Sequence, residues 1–128
     1  MRYLMLHRID ESATFDPAED PGVPGSAAAQ AMDTWVREME GTGVKQYGGH
    51  LRPVREAVTV RVRDGAVLVS DGPYAETKEQ IAGFDLLECA GRDAAIAIAA
   101  RHPTAKIGTF ELRPLAAQPV TSASRRLR

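Results

Sequence analysis

The chain has 128 residues, enough for one domain, with 44% hydrophobic and 26% charged residues, the balance of a folded globular protein with its own core. A formal net charge of −1 supplies no basic face to neutralise phosphates, so general nucleic-acid binding is excluded. The one cysteine, Cys89, cannot form an internal disulfide, and no apolar stretch approaches the ~20 residues of a membrane span, so the expected setting is cytoplasmic, without a membrane partner.

Residues 2–9 form a short apolar run that suits a strand, being too brief for several helical turns. Pro17, Pro21, Pro24, Gly22 and Gly25 mark 10–26 as a long loop. Ala28, Ala31, Met32, Trp35, Val36 and Met39 then recur at spacings of three and four, which predicts an amphipathic helix over 26–41 ended by Gly41 or Gly43. A short strand over 44–48 leads into Gly48-Gly49-His50-Leu51. Val58, Val60 and Val62 alternate with Thr59, Arg61 and Arg63 over 57–63, Asp64-Gly65 is a tight-turn signal, and 66–70 returns as the second hairpin strand. Residues 71–80 read as a loop with one helical turn, and 82–90 as a central strand. An alanine-rich helix over 92–101 places Asp93 near its positive end and Arg101 and His102 near its negative end, and Pro103 stops it. A last strand over 106–113 closes a single domain over 1–115. Residues 116–128, ending Arg125-Arg126-Leu127-Arg128, read as a flexible tail.

This order predicts an α+β, ferredoxin-like (split βαβ) antiparallel sheet with two helices on one face. Both faces of the strands are apolar. Leu4 and Leu6 lie opposite Tyr3, Met5 and Ile9, while Phe84 and Leu86 lie opposite Leu87 and Cys89. Two helices cover one face only, and the simplest cover for the other is a second copy, so a homodimer of the dimeric α+β barrel type is expected. His7 alternates with Tyr3 and Met5, which assigns it to the dimer-facing side.

The string Asp71-Gly72-Pro73-Tyr74, followed by Glu76, Lys78 and Glu79, is more particular than a turn requires. Asp71, at a strand end beside a glycine, is the candidate general base; the alternative is a carboxylate that bonds its own turn. His50, after two glycines, is the candidate acid partner or an exposed loop residue. His7 is a ligand contact or a satisfied interfacial histidine. Tyr74 and Lys78 are candidates for the mouth of a cleft, or part of a solvated cluster. Arg113 either binds an anion or pairs with Glu111 on the last strand. His102 is explained by the helix end and carries no functional weight. Histidines at 7, 50 and 102 lack metal-ligand spacing, and there is no GxGxxG, P-loop or GxSxG, so neither metal nor cofactor is expected. Cys89 reads as an inert core thiol.

Thr59-Val60-Arg61, Asp64-Gly65, Asp71 through Glu79, Gly83-Phe84 and Glu88 resemble the DGPF-domain branch of the YCII-related proteins, with Tyr74 where that motif has Phe. The opening Met1 to Leu6, the Trp35 helix and the ending Gly108 to Pro114 are similar to the same family. The resemblance implies a dimeric ferredoxin-like domain. In YCII-type relatives a His and an Asp face a pocket, and that His lies on the first helix; this chain has no His between 26 and 41, so the dyad does not carry over by position. One such relative is a dehydrochlorinase of a chlorinated hydroxyquinone, and DGPF proteins are often encoded beside sigma factors. Two functions are therefore expected. The first is a cofactor-free enzyme that abstracts a proton from a small-molecule ligand, with elimination or isomerisation, in a cleft near the dimer interface. The second is a non-catalytic ligand-binding or regulatory module linked to transcription.

Overall fold

A computed structural model describes residues 1–116. Strand β1 (Arg2–Ile9) is followed by α1 (Ala27–Gly41), β2 (Lys45–His50), the hairpin β3 (Val58–Arg63) and β4 (Ala66–Asp71), β5 (Gln80–Glu88), α2 (Arg92–Ala100) and β6 (Thr109–Pro114). Four strands form one sheet in the order β2-β5-β1-β6, while β3 and β4 pair only with each other. Every pairing is antiparallel. The protein is thus α+β, with two helices and an antiparallel sheet, a strand order compatible with the ferredoxin-like arrangement.

Local chemistry sets the element ends. Ser26 caps α1 by accepting the Ala29 amide on its hydroxyl at 2.9 Å. Asp64 and Gly65 turn the hairpin with φ of 52° and 77°, the left-handed backbone of a two-residue turn whose twist matches the strands. Residues 71–80 differ from expectation: they hold bends and no helical turn, and β5 begins at Gln80. The segment is anchored by backbone instead, with the Gly72 amide donating to the Ala57 carbonyl at 2.7 Å and the Thr59 hydroxyl to the Gly72 carbonyl at 2.9 Å. The tail predicted over 116–128 lies, beyond its first residue, outside the described residues.

The core lies between sheet and helices. Tyr3, Met5 and Leu87 pack beneath Trp35, Met39, Ala95 and Ala99, and Met5 and Leu87 are fully buried. The face carrying Tyr3, Met5 and His7 is therefore the helix-covered face, which corrects the assignment of His7 to the opposite side. Alternation sorts side chains into two sets, but the hand of the β1–α1–β2 crossover selects which set the helices cover. The other face carries Leu4, Leu6, Phe84 and Leu86, each half-buried. The hairpin is more exposed still, with Val60 61% and Val69 62% accessible on paired positions. Among the described residues no helix is long and apolar enough to cross a membrane.

Candidate functional site: a buried His–Asp pair under the helices

β1 and β5 are neighbours, and their inward positions next to the Met5–Leu87 core carry polar groups. His7 is 6% and Asp85 4% accessible. His7 Nε2–H donates to Asp85 Oδ2 at 2.7 Å, so the pair is tightly bonded away from water. Two glycines make room for it. Gly48, opposite Asp85, could bear no side chain, because a Cβ there would collide with Asp85 Oδ1 and lie 2.8 Å from the Phe84 carbonyl oxygen. Gly83 sits opposite His7, and a Cβ there would lie 3.0 Å from the Gly49 carbonyl oxygen and 3.5 Å from His7 Nδ1. Lys45 Nζ, 3.8 Å from Asp85 Oδ1 and 3.5 Å from Glu40, brings a cation to the other carboxylate oxygen.

His102 joins this pair from the turn after α2. It is 3% accessible and caps the 3-10 turn Pro103–Lys106, its Nδ1 accepting the Thr104 amide at 3.1 Å. Its ring meets those of Trp35 (4.7 Å between centroids), His7 (5.1 Å) and Phe110 (5.0 Å) edge to face. Trp35 is itself held by its indole N–H donating to the Ile98 carbonyl at 3.0 Å. Burial, aided by the neighbouring His7, pushes His102 down from 6.5 to about 4. The helix-end reading of His102 is therefore corrected: it is a buried, neutral member of the site rather than a cation facing a helix dipole.

The three residues each offer an atom within 4.8 Å of the others, a spacing that raises the question of a metal. Their hydrogen bonds fit one poorly. His102 Nδ1 is an acceptor, so Nε2 carries the proton, and a cation on Nε2 would force a proton onto Nδ1 against the Thr104 amide. His7 Nε2 is likewise committed to Asp85.

His7, Asp85 and His102 line a cavity of about 240 Å³ together with Lys45, His50 and Trp35. An adjoining cavity of about 390 Å³ shares His7, Met32 and His50 with it, and its outer wall is Phe15, Asp20, Pro21 and Gly22 from the long loop. The 10–26 loop thus lies over the histidines. His50, exposed at the end of β2, stands at the rim of both spaces.

The other residues singled out from sequence lie elsewhere. Asp71 is exposed at the end of β4 and is paired across the hairpin with Val58; it is not brought to His50 or His7. Tyr74 is 83% accessible, borders a separate cavity of about 550 Å³ with Arg8 and Pro73, and has the Arg61 guanidinium 5.8 Å from its ring centre. Lys78, exposed, borders a third space with Asp10 and Glu11. Arg113 donates to Glu111 at 3.2 Å, as Arg8 does, and these bonds hold the Glu111 carboxyl below its ordinary range. Asp85 was not singled out. Its signal was present: an acid in phase with Leu87 and Cys89, on the inward set of an apolar strand, needs a buried partner.

The chain matches the family model of the YCII-related domain over residues 1–117. It is also similar to an uncharacterised protein of Rhizobium meliloti strain 1021, 46% identical over 120 residues, which cover 91% of this chain and 93% of that protein. With its match running from the first strand through the last, the chain belongs to the YCII-related domain family.

Proposed function

We propose that the protein is a small-molecule enzyme in which His7 moves a proton and Asp85 orients it. The observation that carries this reading is the 2.7 Å bond between two buried ionisable side chains that both line a cavity. With Nε2–H donated to Asp85, the ring keeps the lone pair of Nδ1 as a base, and the carboxylate stabilises the imidazolium that forms when a proton arrives. Proton abstraction followed by elimination or isomerisation is chemistry this pair supports with its own atoms. In this reading His7, oriented by Asp85, takes the part of general base for which the sequence offers Asp71, and His50 stands at the rim as a second proton carrier.

The same reading includes a homodimer, supported by the half-buried Leu4, Leu6, Phe84 and Leu86 and by the exposed valines of the hairpin. The 71–80 segment, with Tyr74 and Lys78, then belongs to a separate recognition surface, which also accommodates the second reading, a regulatory module that docks a partner there. The test is incubation of wild type and Asp85→Asn with a panel of small acids, ketones and halogenated phenols in D2O. The enzyme reading expects solvent deuterium, or loss of halide, in at least one compound with wild type and a drop of at least ~10²-fold with Asp85→Asn. Absence of any turnover across the panel, with binding unchanged by Asp85→Asn, would favour the docking module.

A further inference from the structure

We propose that His102 is a fixed, neutral N–H donor to a substrate oxygen, which makes the substrate of this site a small carbonyl compound with an α-proton. The inference rests on the proton-transfer reading of His7 and Asp85 and extends it to a third residue and a substrate class. It starts from the Thr104 amide. That N–H donates to His102 Nδ1 at 3.1 Å, and an imidazole whose Nδ1 accepts must carry its proton on Nε2. The ring is 3% accessible, is wedged against Trp35 and Phe110, and is a wall of the same cavity as His7 and Asp85. The charged and titratable groups around it are His7 on β1, Asp85 on β5 and His50 on β2. Burial, then His7 and His50, oppose a second proton on His102 and together outweigh Asp85, which favours it, so the ring stays neutral through ordinary pH.

A neutral imidazole cannot hand a substrate a full charge, but it is a stiff, well-placed hydrogen-bond donor. Such a donor is of most use where an oxygen gains negative charge during the reaction. Beside a base, that means enolisation. His7 Nδ1 takes the α-proton. The C–H electron pair becomes the carbon–carbon double bond, and the carbonyl π pair moves to oxygen, which His102 Nε2–H holds as the enolate. The proton then returns from His7 to carbon or to the oxygen, so nothing is oxidised and no co-reactant is consumed. The rest of the cavity, with Trp35, Val36 and Met32, suits an apolar or aromatic remainder.

Two measurements on the intact protein test this. Long-range nitrogen–proton NMR of the histidine rings is expected to find His102 as the neutral Nε2–H form from neutral pH down to its titration near 4. Titration near 6.5, or an Nδ1–H form, would overturn the proposal without touching His7. The second measurement is α-proton exchange of phenylacetone in D2O. Wild type is expected to accelerate exchange, His102→Phe to slow it by about 10²–10³-fold with phenylacetone affinity kept within a few-fold, and His102→Gln to recover part of the rate through its own N–H. Should His7→Phe abolish exchange while His102→Phe leaves it within threefold, the donor role fails and the proton-transfer pair stands. Absence of exchange by wild type would overturn the carbonyl class, while turnover of other compounds in the panel would still leave the pair intact.

Discussion

Gly48 is conspicuous on β2 because Asp85 fills the space its side chain would need. Gly48→Ala must push either the carboxylate or the Phe84 peptide aside, and overpacking of this kind costs about 1–3 kcal/mol. Urea unfolding measures it; a loss under ~0.5 kcal/mol, the range of ordinary surface changes, would mean that Asp85 is not held against β2 in solution. His102 brings a pH dependence. Its folded value is lowered to about 4 from 6.5, first by burial and then by His7. Between those values the unfolded chain binds a proton that the folded chain refuses, so this contribution to stability is complete above pH 6.5 and declines as pH falls toward 4. The slope from one such group is at most about 1.4 kcal/mol per pH unit. The melting temperature should therefore fall across that window in wild type and fall less steeply in His102→Phe; parallel profiles would exclude His102 as the source. His7, His50 and Tyr74 were legible as polar residues in apolar or glycine-rich settings, but sequence spacing carried no hint that His7 and Asp85 are bonded 78 residues apart.

At the scale of elements, local chemistry and periodicity agree well with the structure. The three-and-four spacing that ends at Met39 became α1 within a residue of the expected start, because the cap and the apolar stripe specify the same boundary. Ser26→Ala removes the side chain that accepts the Ala29 amide and should cost about 1 kcal/mol in thermal or urea unfolding. A neutral result would mean that the 10–26 loop, and not the cap, fixes the helix start. The valine alternation of β3 and the Asp64-Gly65 turn gave the hairpin correctly. What they did not reveal is that it leaves the main sheet, since strand periodicity carries no information about which other strand a hairpin edge meets. The alternation along β5 separated Leu87 and Cys89 from Phe84 and Leu86, but it carried neither which set faces inward nor the partner of Asp85, which shares the inward set.

For the whole molecule, the exposed hairpin is the largest tension. Val58, Val60, Val62, Val67 and Val69 are each more than half accessible, and an isolated two-stranded hairpin is marginal in water. A second copy relieves both problems. Sedimentation at micromolar concentration should find a dimer, and Val60→Lys should weaken self-association by at least tenfold while leaving circular dichroism unchanged. A wild-type monomer at that concentration would leave the valines without this explanation.

The sequence by itself determined the family, the element order, the α+β class and the two-faced strands, because each rests on neighbours within a few residues or on a motif. Only the tertiary structure decided which face the helices cover, and with it the surroundings of His7. The pairing of His7 with Asp85 and the capture of His102 by Thr104 depend on strand register and on a turn seated against a distant ring. Those are properties of the assembled sheet and its crossover, which no local pattern encodes.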